Sequence, residues 1–170
     1  MELTGYALVL IDLQRRIVAL DTEPRSAAEV VANGRLLADA FRTTGQPVVL
    51  VRVENLDNPQ PDGDQLVDEL GVGPGDVVVT KHQWGAFNGT PLDLHLRRAS
   101  ARGIVLGGLM TNFGVESTAR DGDELGYPLV FAEDAMASIT ATAHRFAVDT
   151  IFARLGTVAS TSDIVAALGR

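Results

Sequence analysis

Short apolar runs alternate along this chain with longer segments in which apolar residues recur at helical spacing. Tyr6–Ile11, Pro47–Val53, Asp76–Thr80, Ile104–Leu109 and Pro128–Ala132 are almost continuously aliphatic, the pattern of strands buried on both faces. A shorter run of the same kind lies at Gly156–Ala159. Between them, Ala27–Arg42, Pro91–Arg102, Gly114–Leu125, Ala141–Ala153 and Ser160–Leu168 carry the periodicity of helices. Gly45, Gly103, Gly126 and Gly156 each stand just before a strand, where a left-handed C-cap would close the preceding helix. Strand followed by helix, repeated, predicts an α/β fold: a parallel sheet with helices on both faces, in one domain over residues 1–170. Glu54–Gly75, rich in Asn, Asp, Gly and Pro, is the longest weakly patterned stretch. A short helix is expected at Gln65–Leu70, and the segment reads as a connection, a lid or a partner-contact loop.

Composition narrows the function classes. A chain of 170 residues is long enough to bury one substantial core without metal or disulfide staples. Its net charge of -8, with arginines scattered along the chain, argues against a nucleic-acid or membrane surface and for a small-molecule substrate. An anionic substrate would then require positive charge placed locally. The chain has no cysteine, which excludes a thiol nucleophile, disulfides and cysteine metal sites, and fits a reducing compartment. No signal-type or membrane-spanning apolar run is present, so a cytoplasmic location is expected. His82, His95 and His144 show no metal-ligand spacing, and Gly71–Gly75 precedes a strand instead of joining a strand to a helix. No metal and no cofactor are expected.

Of the 14 lysine and arginine residues, Lys81 is the single lysine. Arginine replaces lysine well as a surface charge but not as a compact ammonium in a tight pocket, so the lone lysine suggests a chemical requirement, unless it is a chance survivor of an arginine-rich composition. In open parallel sheets ligands bind beyond the carboxyl ends of the strands, and three polar clusters fall there. They are Asp12-Leu13-Gln14 after the first strand, Lys81 to Thr90 after the third, and Leu109 to Ala119 after the fourth. Asp12 suits an acid–base group tuned by burial against a nearby lysine, and equally a turn carboxylate. Gly114 alone suits close packing or a helix start.

Together these residues resemble the isochorismatase-like hydrolases, the cysteine hydrolase superfamily, from Ala7–Gln14 through Trp84-Gly85-Ala86-Phe87 and Thr90 to Glu133-Asp134-Ala135. The resemblance implies a six-stranded sheet in the order 3-2-1-4-5-6 and catalytic roles for Asp12 and Lys81. It also implies a cis Leu109–Met110 peptide and a homo-oligomer, a dimer or tetramer. Where the amidase members carry their nucleophilic cysteine, in a pattern like T-x-x-C-V-x-x-T-A, this chain has Gly114 within Thr111–Ala119. Glycine supplies no atom to attack a carbonyl, so an acyl-enzyme is excluded at that position. The implied reaction is hydrolysis without a covalent thioester: acid-catalysed cleavage of a small vinyl ether such as isochorismate or a related carboxylate. Asp12 would donate the proton, Lys81 would stabilise charge, and Gly114 would leave the floor of the site bare. Gln14, Trp84, Phe87, Leu109, Met110, Thr111 and Phe113 complete the candidate substrate-binding set. Isochorismatases resemble K-W-R-Y-S-A-F in the lysine loop, whereas Lys81–Phe87 lacks that arginine; Arg52 is either its replacement or a surface arginine. The alternative is a non-catalytic small-molecule binding or assembly protein that kept the fold after loss of the cysteine.

Overall fold

A computed structural model describes residues 1–169. β1 (Tyr6–Ile11), β2 (Val48–Val53), β3 (Val77–Lys81), β4 (Gly103–Leu109), β5 (Leu129–Ala137) and β6 (Gly156–Ala159) form one six-stranded sheet in the order β3-β2-β1-β4-β5-β6. Every neighbouring pair is parallel. Around it lie α1 (Arg15–Val18), α2 (Ala27–Thr43), α3 (Leu92–Arg98), α4 (Glu116–Glu124), α5 (Ala141–Phe146), α6 (Ala153–Leu155) and α7 (Thr161–Leu168). A wide helical turn at Thr111–Val115 leads into α4, and another at Ala147–Phe152 joins α5 to α6.

The period-two alternation of β1 divides the core. Leu8 and Leu10 face one layer, where they meet Val30, Leu37 and Phe41 of α2 and Ile164 of α7. Ala7, Val9 and Ile11 face the other, with Leu92 and Leu96 of α3, Ala119 of α4 and Phe152. Burying Phe41 completely stabilises the fold by about 1.5–3 kcal/mol, and truncating it to alanine would cost about 3–5 kcal/mol. α2 begins at Ser26, whose side chain accepts from the Glu29 N–H while Glu29 reaches back to the Ser26 N–H, a reciprocal cap that fixes where this 17-residue helix starts.

The strand order reverses between β1 and β4, which places their carboxyl ends side by side at Ile11 and Gly108. Gly108 has φ +117, and a Cβ there would collide with the Ile11 backbone. Only glycine permits that approach, and it brings the turn after β4 against the residue after β1.

Several boundaries differ from the sequence pattern. β5 runs on to Ala137, because Glu133 and Asp134 interrupt the apolar pattern while the backbone stays extended. Only Gly45 and Gly126 of the four glycines expected at helix ends are left-handed. Ser100, with φ 53, follows α3 in place of Gly103, and Gly156 is extended. Gly103 and Gly156 are instead required for space, since a Cβ would strike the Tyr6 ring in the first case and the Leu129 carbonyl in the second. The helix expected at Gln65–Leu70 shrinks to one tight turn, Asp68–Leu70, closed by Gly71 at φ 60.

Candidate functional site

Asp12 is the first residue beyond β1 and Lys81 the last residue of β3, two strands away. Asp12 has φ 54, a left-handed conformation that few residues other than glycine tolerate, aspartate among them. Its N–H donates to the Val51 carbonyl at 2.9 Å and its own carbonyl accepts from Gln14 N–H at 2.8 Å, so the turn is locked at both ends. The Lys81 chain crosses the end of β2 and its Nζ meets Asp12 Oδ2 at 2.9 Å. A second Nζ hydrogen bond, 2.7 Å, goes to the Trp84 carbonyl. Both side chains are nearly sealed from solvent, 2% exposed for Lys81 and 7% for Asp12.

Asp12 Oδ1 is buried and has no hydrogen-bond partner among the described residues. Such an atom is costly to leave unpaired and points to a proton or a ligand. Burial pushes the Asp12 pKa up, and it outweighs the opposing charge and hydrogen bond of Lys81 and the charge of Arg16, leaving it at about 6 against an ordinary 3.8. The neutral acid is therefore well populated near pH 6 despite an ammonium in contact.

Gly114 forms the floor. A Cβ at this position would lie 3.0 Å from Asp12 Oδ2 and 3.1 Å from Lys81 Nζ, so any side chain there presses directly on the pair. Thr118 ties the floor to the lysine loop: its hydroxyl donates to the Gly114 carbonyl at 2.7 Å and accepts the Ala86 N–H at 3.0 Å. The Leu109–Met110 peptide leading into this turn is cis.

Asp12, Lys81 and Gly114 open on a cavity of about 620 Å³, whose wall also includes Trp84, Leu109, Met110 and Phe113. Trp84 packs on Phe113 with ring centroids 5.4 Å apart, and both rings are largely exposed at its mouth. Three of the expected binding residues are elsewhere. Gln14 is fully buried, and its amide is consumed by backbone: Nε2 donates to the Val53 and Asp64 carbonyls, and Oε1 accepts from Val53 N–H. Phe87 packs on Tyr127 within the apolar layer, at 6.0 Å between centroids. Thr111 is buried behind the turn, bonded to Ala137 O at 2.9 Å and His144 Nδ1 at 2.8 Å. These three hold the frame and do not line the cavity.

His144 belongs to that frame. Its Nε2 lies 2.9 Å from Glu133 Oε1, and the same oxygen accepts Arg25 Nη2 at 2.9 Å. Burial holds the imidazole below its ordinary pKa against the pull of Glu133. The Glu133 carboxylate can only accept, so Nε2–H donates to it, while the single Thr111 hydroxyl proton goes to the Ala137 carbonyl and Nδ1 faces the Thr111 oxygen at 2.8 Å.

Arg52 donates to Thr80 at 2.9 Å, pairs with Glu54 at 2.7 Å and is absent from the cavity wall. The arginine that does line it is Arg16. It stands one helical turn beyond Asp12, on a helix of four residues that is too short to leave a periodic signal. Glu54, Leu56 and Asp57, from the segment expected to connect or cover, also contribute wall. Among the described residues no group of three or more His, Asp or Glu is placed to hold a metal ion, and no helix is long and apolar enough to cross a membrane.

Comparison with known proteins agrees with this fold. Residues 6–163 match the isochorismatase domain family. The isochorismatase family protein YecD of Escherichia coli O157:H7 is 43% identical, the alignment covering 95% of each chain. YwoC of Bacillus subtilis (strain 168), of the same family, is 40% identical over 94% of this chain and 92% of its own. The structure of an isochorismatase family protein from Burkholderia thailandensis superimposes with a TM-score of 0.95 at 44% identity, covering 98% of this chain and 96% of that one. Agreement of this extent, over nearly the full length of each pair, shows that the chain belongs to the isochorismatase family of hydrolases.

Proposed function

We propose that the chain hydrolyses a small vinyl ether of carboxylate type by acid–base chemistry, with no covalent enzyme intermediate. The observation that carries this reading is Asp12: buried, raised to a pKa of about 6, ion-paired through Oδ2 and unpartnered at Oδ1, over a floor that offers no nucleophile. Asp12 in its neutral form delivers a proton to the methylene carbon of the vinyl ether. The carbon–carbon double bond supplies the electron pair, and an oxocarbenium ion results. The carboxylate left behind is stabilised by Lys81 at contact distance and takes a proton from water as that water adds to the cation. The hemiketal then breaks its carbon–oxygen bond, giving a 2-oxo acid and an alcohol; for isochorismate these are pyruvate and a dihydrodiol.

The test is a substrate screen on the purified protein with isochorismate, monocarboxylate vinyl ethers, nicotinamide and simple carbamoyl compounds. Vinyl-ether cleavage in D2O should place one deuterium in the methyl group of the 2-oxo acid. Turnover should be lost in Asp12→Asn and Lys81→Arg while both remain folded. Amide hydrolysis without vinyl-ether cleavage would refute the reading, as would a Lys81→Arg variant that turns over as well as wild type.

A further inference from the structure

Two of the three Lys81 donors serve Asp12 and the Trp84 carbonyl, and its positive charge is set directly against the Asp12 carboxyl. The other permanent cation on the cavity wall is Arg16. Its guanidinium is fixed from one side. Nε donates to Oδ1 of the buried Asp64 at 2.6 Å, and Nη2 reaches the Val53 carbonyl at 3.3 Å. Asp64 is held in turn by the Gln60 N–H on its second oxygen, 3.2 Å away. Nη1 has no partner among the described residues. Arg42 shows what a wholly structural arginine does here: Nε and Nη2 both clasp Asp76, at 3.1 Å and 2.5 Å, and Nη1 is taken by Asp39 at 2.8 Å. Arg16 is held through Nε and Nη2 but keeps Nη1 in hand, within a cavity whose rim carries Leu20, Leu56, Trp84, Phe113 and Ile139.

We propose that Arg16 is the carboxylate receptor of this cavity and that its substrate is a monocarboxylate with an apolar body. The carboxylate sits on the Nη1 side of Arg16, the body lies against the rim of Leu20, Leu56 and Ile139, and the bond to be broken lies over Gly114. A planar carboxylate matches the guanidinium fork. A second carboxylate or a phosphate dianion finds no further cation. The remaining charged groups on the wall are the carboxylates of Glu54, paired with Arg52, and the exposed Asp57, under a net charge of -8. The position of the cleaved bond rests on the acid–base reading above; the anion site does not.

Binding of unreactive probes separates the two. Benzoate and benzamide, of similar shape, are titrated calorimetrically into wild type, Arg16→Gln, the double variant Arg16→Gln with Asp64→Asn, and Asp12→Asn. Wild type and Asp12→Asn should prefer benzoate by about tenfold or more, the difference that a charge-assisted pair makes. Both Arg16 variants should lose that preference to within about twofold while keeping their affinity for benzamide. The double variant removes the charge on Asp64 with that on Arg16, so it remains informative if Arg16→Gln alone fails to fold. Equal affinity of wild type for the two probes, or a benzoate preference that survives in the double variant, would overturn the assignment. Either result leaves the role of Asp12 to the deuterium experiment.

Discussion

The turn that ends β4 stands between two ionic clusters, and they differ in how completely they are satisfied. Behind it, Arg25, Glu133, His144 and Thr111 form a closed chain that ends on the Ala137 carbonyl. Two further carbonyls, of Glu133 and Met136, take up Arg25 Nη1. In front of it, Asp12 and Lys81 are bonded to each other, yet Oδ1 of Asp12 is buried without a partner. A satisfied network specifies a shape; an unsatisfied one carries unspent reactivity. The two also respond to acid in opposite senses. Burial raises Glu133, but hydrogen bonds from His144 and Arg25 outweigh it, so its carboxyl is held below the ordinary 4.5. Its contribution to stability is present above that value and is lost as pH falls through the lowered one. Asp12 is raised to about 6, so its contribution is full below 3.8 and is lost as pH rises through about 6.

Activity should divide the clusters most sharply. Asp12→Asn is expected to lower kcat by roughly 100- to 10,000-fold, the usual range for a lost general acid. His144→Gln should leave kcat within about tenfold, since it lies outside the cavity. Comparable losses in the two variants would mean that the rear cluster takes part in the chemistry. Next in size is the pH profile. With Asp12 as proton donor, kcat/KM should hold at low pH and fall about tenfold per unit above an apparent pKa of about 6. A profile that rises through pH 6 instead would make Asp12 a base. Gly114→Ala should follow, with activity reduced about tenfold by a methyl group 3.0 Å from Asp12 Oδ2 and no loss of benzamide binding. Smallest in activity but measurable by urea unfolding, His144→Gln should cost about 1–3 kcal/mol at pH 7, because Glu133 and Thr111 lose a buried partner. An unchanged urea midpoint would show that the rear cluster contributes nothing to stability.

The parts of the site that were legible in the sequence are those set by strand ends. Asp12 follows five apolar residues, Lys81 ends another run, and the order of these runs places both on one edge of the sheet. Buried strands leave continuous signals, so the sheet and its core could be read directly. Residues whose importance depends on which side of a turn faces in could not. Gln14 and Thr111 carry groups that suit a substrate, but the backbone of Val53, Asp64 and Ala137 takes them. Arg16 leaves no sequence signal for the converse reason: nothing in two adjacent arginines tells an oriented one from a solvated one, and only burial of the distant Asp64 shows that one of them is oriented. Contacts made across about fifty positions of sequence leave no periodic trace.

A chain with one lysine, and that one shielded from water, carries its own reporter. Apart from the α-amino group, an amine-acylating reagent has a single target here, and it can reach that target only when the lysine loop lifts away from Asp12. The slow gain of one adduct in an intact mass spectrum would therefore time the breathing of this end of the sheet, without any label having to be introduced.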